Sequence, residues 1–177
     1  MLGCGFCTAL LLALLLAAAP PAEKTTTVYT SPDGTAEAVV VTESTKESRV
    51  DFQSAFAKRL LLSRDERSKD GEHGQGIVKA AWTPDSQFFI ASTAGTGGHQ
   101  PWARPLWMYS RSKNRVFELW KFGAAATDVF TLLPEGRVQV RVLGCGSGND
   151  NTERTLVFKP DTFLASGHLP SPACPTR

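Results

Sequence analysis

The fold is decided by the stretch Trp82-Thr-Pro-Asp-Ser-Gln-Phe-Phe-Ile-Ala-Ser-Thr93. Its first half is typical of a turn, because proline fixes φ at the second turn position and aspartate accepts hydrogen bonds from nearby backbone amides. Its second half, from Gln87 to Thr93, is a short apolar run of the kind found in buried β-strands. The stretch therefore predicts a turn that leads directly into a strand.

The same arrangement occurs three times along the chain. Pro32-Asp-Gly34 lies 52 residues before Pro84, and Pro134-Glu-Gly136 lies 50 residues after it. Each turn is followed by a strand-like run, and these runs are Ala36 to Thr42, Gln87 to Thr93 and Arg137 to Leu143. A period of this length indicates a protein built from repeated supersecondary units.

The remainder of each unit also favours strands. Leu106 to Ser110 and Arg115 to Leu119 form a predicted hairpin across the polar turn Arg111 to Asn114. The one stretch that could hold a short helix is Asp51 to Leu62. We therefore expect an all-β, antiparallel fold of repeats of about 50 residues.

The repeated unit resembles the WD40-like repeat of bacterial TolB-type β-propellers. Both consist of a Ser/Thr-Pro-Asp-Gly turn, an apolar strand, a loop and a closing hairpin. The matching stretches are Tyr29-Thr-Ser-Pro-Asp-Gly34, Ala81-Trp-Thr-Pro-Asp-Ser86 and the hairpin Leu106 to Leu119, while Leu133-Pro-Glu-Gly136 is a degraded version. Propellers close with four or more blades, and this chain has room for three. The resemblance therefore implies either an open, sandwich-like domain, which we favour, or a ring that several chains complete.

The N-terminus predicts export. Phe6 to Ala19 carries no charge and is followed by two prolines, as in the apolar region of a signal peptide. We assign residues 1–22 to the signal peptide, 23–168 to the β-repeat domain and 169–177 to a C-terminal tail. An uncleaved N-terminal anchor is the alternative. The expected location is the periplasm or the exterior of the cell.

Charge and cysteine content narrow the function classes. The 19 basic and 17 acidic residues nearly balance, which argues against a nucleic-acid-binding protein, since such proteins gather a basic excess on one face. After removal of the signal peptide two cysteines remain, Cys145 and Cys174. In an oxidising compartment they are expected to form a disulfide that ties down the tail. The alternative is a reactive Cys145 thiol.

The most unusual local sequence is the loop Ala94 to Trp107, which lies between two predicted strands. Loops held by a rigid scaffold often carry binding residues, and its glycines permit close backbone approach. The predicted contact residues for a ligand or partner are His99, Gln100, Trp102, Arg104 and Trp107. In the alternative interpretation, Trp102 and Trp107 cap the core and His99 bonds a backbone carbonyl.

No sequence motif names a reaction. The glycine-rich loop lacks the Lys-Ser/Thr of a phosphate loop, Ser63 to Gly74 lacks EF-hand spacing, and the three histidines lie far apart. We therefore expect no metal and no cofactor. The predicted function is an exported, non-enzymatic binding or protein-interaction domain; the alternative is a small exported hydrolase or other enzyme using Cys145 or His99. The expected partner is a protein or peptide, with self-association left open, no nucleic acid, and membrane contact only through an uncleaved N-terminus.

Overall fold

The computed structural model describes residues 23–97, 105–119, 126–143 and 153–167. Eleven strands and one α-helix lie in these ranges. The elements are β1 (Thr25–Thr30), β2 (Ala36–Thr42), β3 (Ser48–Ser54), β4 (Leu60–Asp65), β5 (Gln75–Trp82), β6 (Phe88–Gly95), β7 (Leu106–Ser110), β8 (Arg115–Glu118), β9 (Ala126–Leu132), β10 (Val138–Leu143), β11 (Glu153–Phe158) and α1 (Pro160–Ser166).

The strands form three separate antiparallel sheets in chain order. Sheet A contains β1 to β4, sheet B contains β5 to β8, and sheet C contains β9 to β11. Every strand pairs with its neighbour along the chain, so each sheet is a meander. This confirms the predicted all-β fold, and the sheets resemble blades of an incomplete propeller.

The three predicted turns connect the first and second strands of the three sheets. In the first turn Ser31 Oγ donates to Asp33 Oδ1 at 2.6 Å and accepts from the Ala36 amide at 3.0 Å. In the second turn Thr83 Oγ1 donates to Asp85 Oδ1 at 2.5 Å and accepts from the Phe88 amide at 3.0 Å. The hydroxyl and the carboxylate therefore satisfy the turn's own backbone groups, which explains the Ser/Thr-Pro-Asp pattern.

The third turn uses a different solution. Leu133 has no hydroxyl, and its amide donates to the Arg137 carbonyl at 2.8 Å, which closes the turn one residue earlier than in the other two. Glu135 and Gly136 both adopt positive φ, at 61° and 68°. The degraded motif thus still makes a turn at the same place in its sheet.

Sheet B lies between the other two sheets, and its side chains alternate accordingly. Phe89, Ala91, Trp107 and Tyr109 face sheet A and pack against a cluster that includes Val50 and Phe52. Phe88, Ile90, Leu106 and Met108 face sheet C and pack around Phe130, Val138 and Phe158. Because both of its faces are covered, β6 is almost continuously apolar, as the sequence predicted.

The end of the molecule formed by the turns is fastened across sheets A and B. The Asp33 amide donates to Ser86 Oγ at 2.9 Å, and Arg111 Nη1 contacts Asp33 Oδ2 at 2.8 Å and the Ser86 carbonyl at 3.0 Å. Hydrogen bonds to the Asp33 carboxylate, first from the Ser31 hydroxyl and second in size from Arg111, hold its pKa well below the usual range. These bonds align the two turns at one end of the stack.

The far face of sheet A carries polar pairs beside the partly exposed Val28 and Val39. Arg49 contacts Asp51 at 2.9 Å, and Ser63 Oγ donates to the other oxygen of Asp51 at 2.6 Å. Lys58 Nζ lies 2.7 Å from both carboxylate oxygens of Glu37. A face satisfied in this way is stable in water, which is compatible with the open arrangement that the sequence favours.

The stretch that could have held a short helix by its sequence does not form one. Asp51 to Leu62 forms the end of β3, a turn and the start of β4, because Val50, Phe52 and Leu62 point between sheets A and B with strand periodicity. The helix lies instead at Pro160–Ser166, where proline starts it and Gly167, at φ 70°, ends it. Phe163 of this helix is buried against Phe117 at a ring distance of 6.3 Å.

Within the described ranges, no helix has the length and apolar character needed to cross a lipid bilayer. The predicted signal peptide (1–22) and tail (169–177) lie outside the described residues. The assigned domain boundaries therefore stay predictions.

Candidate functional site

Because the sheets are meanders, the connections alternate between two ends of the molecule. One end, the turn end, carries the three Pro-containing turns and the hairpin Arg111–Asn114. The other end, the loop end, carries the β2–β3 connection 43–47, the β4–β5 connection 66–74 and the start of the β6–β7 loop at Thr96. The two stretches that the sequence singled out, Ser63 to Gly74 and Ala94 to Trp107, therefore meet at the loop end.

Glu47 is the residue that joins these connections. Its side chain is only 1 % exposed. The carboxylate accepts bonds from the Ser68 amide at 2.9 Å, the Ser68 hydroxyl at 2.7 Å, the Gly74 amide at 2.6 Å and the Thr96 hydroxyl at 3.2 Å. One buried side chain thus links three segments of the loop end.

The buried carboxylate of Glu47 keeps its charge. Burial acts to raise its pKa, but the bonds from Ser68, Gly74 and Thr96 together outweigh burial, so the pKa lies below its usual range. Donors that are all directed at one carboxylate stabilise its ionised form. The loop end is therefore organised around a buried anion with backbone and hydroxyl donors.

Beside Glu47 lies an open groove of about 530 Å³. Arg67 spans it, contacting Glu43 at 3.0 Å and Asp65 at 2.6 Å. The bond from Arg67 lowers the pKa of Asp65 to about 2. Most of the charge in the groove is therefore balanced internally. Lys69, by contrast, is exposed and makes no ion pair with any residue that the structure describes. The groove is lined by residues 43–45, 47, 65 and 67–71.

Ser68, Asp70 and His73 are close together in the β4–β5 loop but do not form a nucleophile and base. His73 Nδ1 lies 2.6 Å from Asp70 Oδ2, whereas the Ser68 hydroxyl donates to Asp70 and Glu47. A serine nucleophile needs its hydroxyl proton directed at an imidazole nitrogen. The cluster instead stabilises the loop, and no group of three or more metal-ligating side chains occurs in the described part of the chain.

The Asp70–His73 pair makes a prediction about pH. The hydrogen bond and charge of Asp70 raise the pKa of His73. Because the pKa of His73 is raised on folding, the pair adds to the free energy of unfolding. This stabilisation is complete below the unfolded-state pKa and is lost as pH rises through the folded-state pKa. We expect an NMR titration of the His73 ring to give a pKa above the usual value of about 6.5. In Asp70→Asn the pKa should return to that value; an unchanged titration would contradict the pairing.

The predicted contact residues His99, Gln100, Trp102 and Arg104 lie outside the described residues. Both ends of their loop are fixed. At one end the Thr96 amide donates to the Gly74 carbonyl at 3.0 Å, and at the other the Thr93 amide donates to the Pro105 carbonyl at 2.9 Å. The loop therefore leaves and re-enters the domain at the loop end, beside the Glu47 network.

Trp107, the fifth predicted contact residue, is placed in the core. Its side chain is 1 % exposed and packs against Phe52 and Phe89 between sheets A and B. The Arg64 guanidinium lies 4.9 Å from its ring centroid and contacts Glu118 at 2.8 Å. Trp107 is thus inaccessible to a partner at the surface, because its position in β7 points it at sheet A.

Cys145 and Cys174 also lie outside the described residues, so the expected disulfide stays a prediction. Sequence reasoning missed Glu47 and Thr96. No motif marks either residue, since their roles depend on contacts between segments 21 to 49 positions apart.

Comparisons with known proteins identify no relative by sequence: no family model and no curated protein matches. Among solved structures, a mutant of puromycin hydrolase complexed with PGG is similar at 15 % identity and a TM-score of 0.43, over 77 % of this chain and 20 % of that one. TolB from Acinetobacter baumannii is similar at 15 % identity and a TM-score of 0.32, over 80 % of this chain and 42 % of that one. This chain thus spans a minor part of both proteins.

Proposed function

We propose that this protein is an exported, non-enzymatic binding domain that takes a protein or peptide partner at its loop end. The observation that carries the proposal is the Glu47 network, which holds two long connections beside an open polar groove. We further propose that the domain is a short relative of the TolB-type WD40-like repeat proteins. Its place of action is then the periplasm or the exterior of the cell.

The geometry of the loop end supports recognition of a polar, extended segment. The groove offers hydroxyls at Ser44 and Thr45, and it offers an exposed cation at Lys69 that has no ion pair within the described ranges. Its remaining charges are held by neighbouring side chains, so they are already oriented before a partner arrives. Preorganised polar groups bind at a lower entropic cost than flexible ones.

The β6–β7 loop supplies the aromatic part of the proposed surface. Its ends at Thr96 and Pro105 are fixed by backbone hydrogen bonds, and between them the sequence places His99, Gln100, Trp102 and Arg104. Tryptophan and arginine are the residue types that most often dominate binding energy at protein interfaces. These four residues are therefore our proposed partner contacts.

Site-specific photo-crosslinking in the native compartment tests the proposal. A crosslinking amino acid at position 102 or 69 should capture one and the same partner, and the same probe at exposed Thr155 on sheet C should not. With the probe at position 69, Trp102→Ala should abolish capture while the far-UV circular dichroism is unchanged. Equal capture from position 155 would contradict a specific surface. Unfolding of Trp102→Ala would mark Trp102 as a core residue.

A further inference from the structure

The turn end carries an exposed aromatic side chain that neither the core nor the proposed binding site uses. Phe56 lies in the β3–β4 turn and is 85 % exposed, and Leu60, at the end of the same turn, is 58 % exposed. Single exposed apolar residues are common. Two that lie four positions apart, one on the β3–β4 turn and one at the start of β4, form an apolar tip.

The backbone of this turn is rigid. The Lys58 amide donates to the Ser54 carbonyl at 3.0 Å, and Lys58 adopts a positive φ of 49°. The Ala55 amide donates to the Thr35 carbonyl at 3.0 Å, which fastens the turn to its neighbour. These bonds fix the course of the backbone on which Phe56 is exposed.

Exposed cations lie near the apolar tip. Arg59 belongs to the turn itself. Lys113 and Arg115 flank Asn114 in the β7–β8 hairpin. The Asn114 side-chain Nδ2 donates to the Leu61 carbonyl at 3.1 Å, which holds this hairpin beside the tip. All three cations are exposed and make no ion pair with described residues, but the Arg115 guanidinium lies over the Phe117 ring, 5.5 Å from its centroid, on the side of sheet B that faces sheet C.

The acidic groups of this corner are already neutralised. Glu37 is held by Lys58 at 2.7 Å, and Asp33 is held by Arg111 at 2.8 Å. Asp85, on the second turn, makes no ion pair with a described residue, and it bonds its own turn through Thr83. The corner thus presents an apolar tip within a positive field.

We propose that this corner docks on an anionic lipid surface, with Phe56 and Leu60 inserted at the interface and Arg59 and Lys113 facing the headgroups. An aromatic tip among cations is suited to such a surface, because acyl chains accept the ring and anionic headgroups attract the cations. A lipid surface needs no matching concavity, which suits a projecting turn. The groove at the loop end then points away from the membrane.

Vesicle co-sedimentation tests this with the chain in the form recovered from its compartment. Binding should be stronger to vesicles of phosphatidylcholine with phosphatidylglycerol than to phosphatidylcholine alone, and should fall at high salt. Phe56→Ser should weaken it about tenfold or more, and Lys113→Glu at least about fivefold. An uncleaved N-terminal segment would bind both vesicle types and would not respond to either substitution.

Two matched variants serve as controls. Val28→Ser removes an apolar side chain that is 51 % exposed on β1, and Lys46→Glu reverses an exposed charge at the loop end; neither should change vesicle binding. Equal binding to the two vesicle types, or full binding by Phe56→Ser, would overturn the proposal. So would the absence of vesicle binding together with capture of a protein by a crosslinker at position 56. Crosslinking at positions 102 and 69 tests the loop end separately.

Discussion

Phe52→Ala is expected to lower the free energy of unfolding by about 3–5 kcal/mol, the range found for loss of a buried phenylalanine. Phe52 is 1 % exposed and lies at the centre of the interface between sheets A and B. Its ring stacks on Tyr109 at 3.8 Å and meets Trp82 and Phe89 edge-on at 6.4 and 5.5 Å. Such pairs add to the energy of area burial, and alanine would leave a cavity that these large rings cannot fill.

Urea denaturation with an unchanged m-value would measure this loss. Phe56→Ala is the matched control, because the same side chain is removed four positions away where it is 85 % exposed. It should change stability by less than about 0.5 kcal/mol. Similar losses for the two variants would contradict the strand register that turns Phe52 inward and leaves Phe56 on a turn.

Gly76→Ala is expected to destabilise the protein by about 1–3 kcal/mol or more through overpacking. A Cβ atom at this position would lie 2.2 Å from the Lys46 carbonyl oxygen. That oxygen belongs to the β2–β3 connection beside Glu47, so relief of the clash requires the backbone of the loop end to move. The same change should therefore weaken partner capture by the probe at position 69.

Gly95→Ala provides the comparison. Gly95 ends β6, one register position from the Ala94 that pairs with Gly76, and a Cβ atom there would meet nothing within 4 Å. Alanine costs less backbone entropy than glycine, so stability should be unchanged or slightly higher by thermal denaturation. A Gly76→Ala variant as stable as Gly95→Ala would show that Lys46 does not approach β5 as described.

The repeat was predictable from the sequence because its determinants are local. Thr83, Pro84 and Asp85 are consecutive, and the hydroxyl and the carboxylate accept from backbone amides two to five positions further on, so the motif is readable without any tertiary information. The boundaries of β2 and β7 follow from the same patterns. The strands β1 and β3 were not predicted because no turn motif leads into them. What makes them strands is their pairing with β2, which the local sequence does not show.

The middle position of sheet B was not predictable. Phe88 and Phe89 both indicated core, but only their burial on opposite faces shows that two sheets cover β6. By its sequence, Asp51 to Leu62 could hold a short helix, whereas its residues belong to β3, a turn and β4. The register across β3 and β4 settled that ambiguity.

The loop end was predictable in part. The sequence indicated both the β4–β5 and β6–β7 connections as unusual, but their meeting at Glu47 arises from long-range contacts. Trp107 was predicted as a contact residue because it closes the unusual loop sequence Ala94 to Trp107. It lies on β7, however, and this strand position buries its side chain. A residue's place on a strand face is what separates core from contact surface here.

Native-state amide hydrogen exchange at the loop end is the most direct test that Glu47 preorganises this surface. The Ser68 and Gly74 amides, bonded to Glu47, and the Thr96 amide, bonded to the Gly74 carbonyl, should be protected nearly as well as amides of β5 and β6. Glu47→Gln replaces one accepting oxygen with an NH2 group, which faces amides that are themselves donors. In this variant the Ser68 and Gly74 amides should lose protection from exchange while the amides of β6 keep it. Exchange of Ser68 and Gly74 in the unmodified protein as fast as the exposed Lys69 amide would contradict the account.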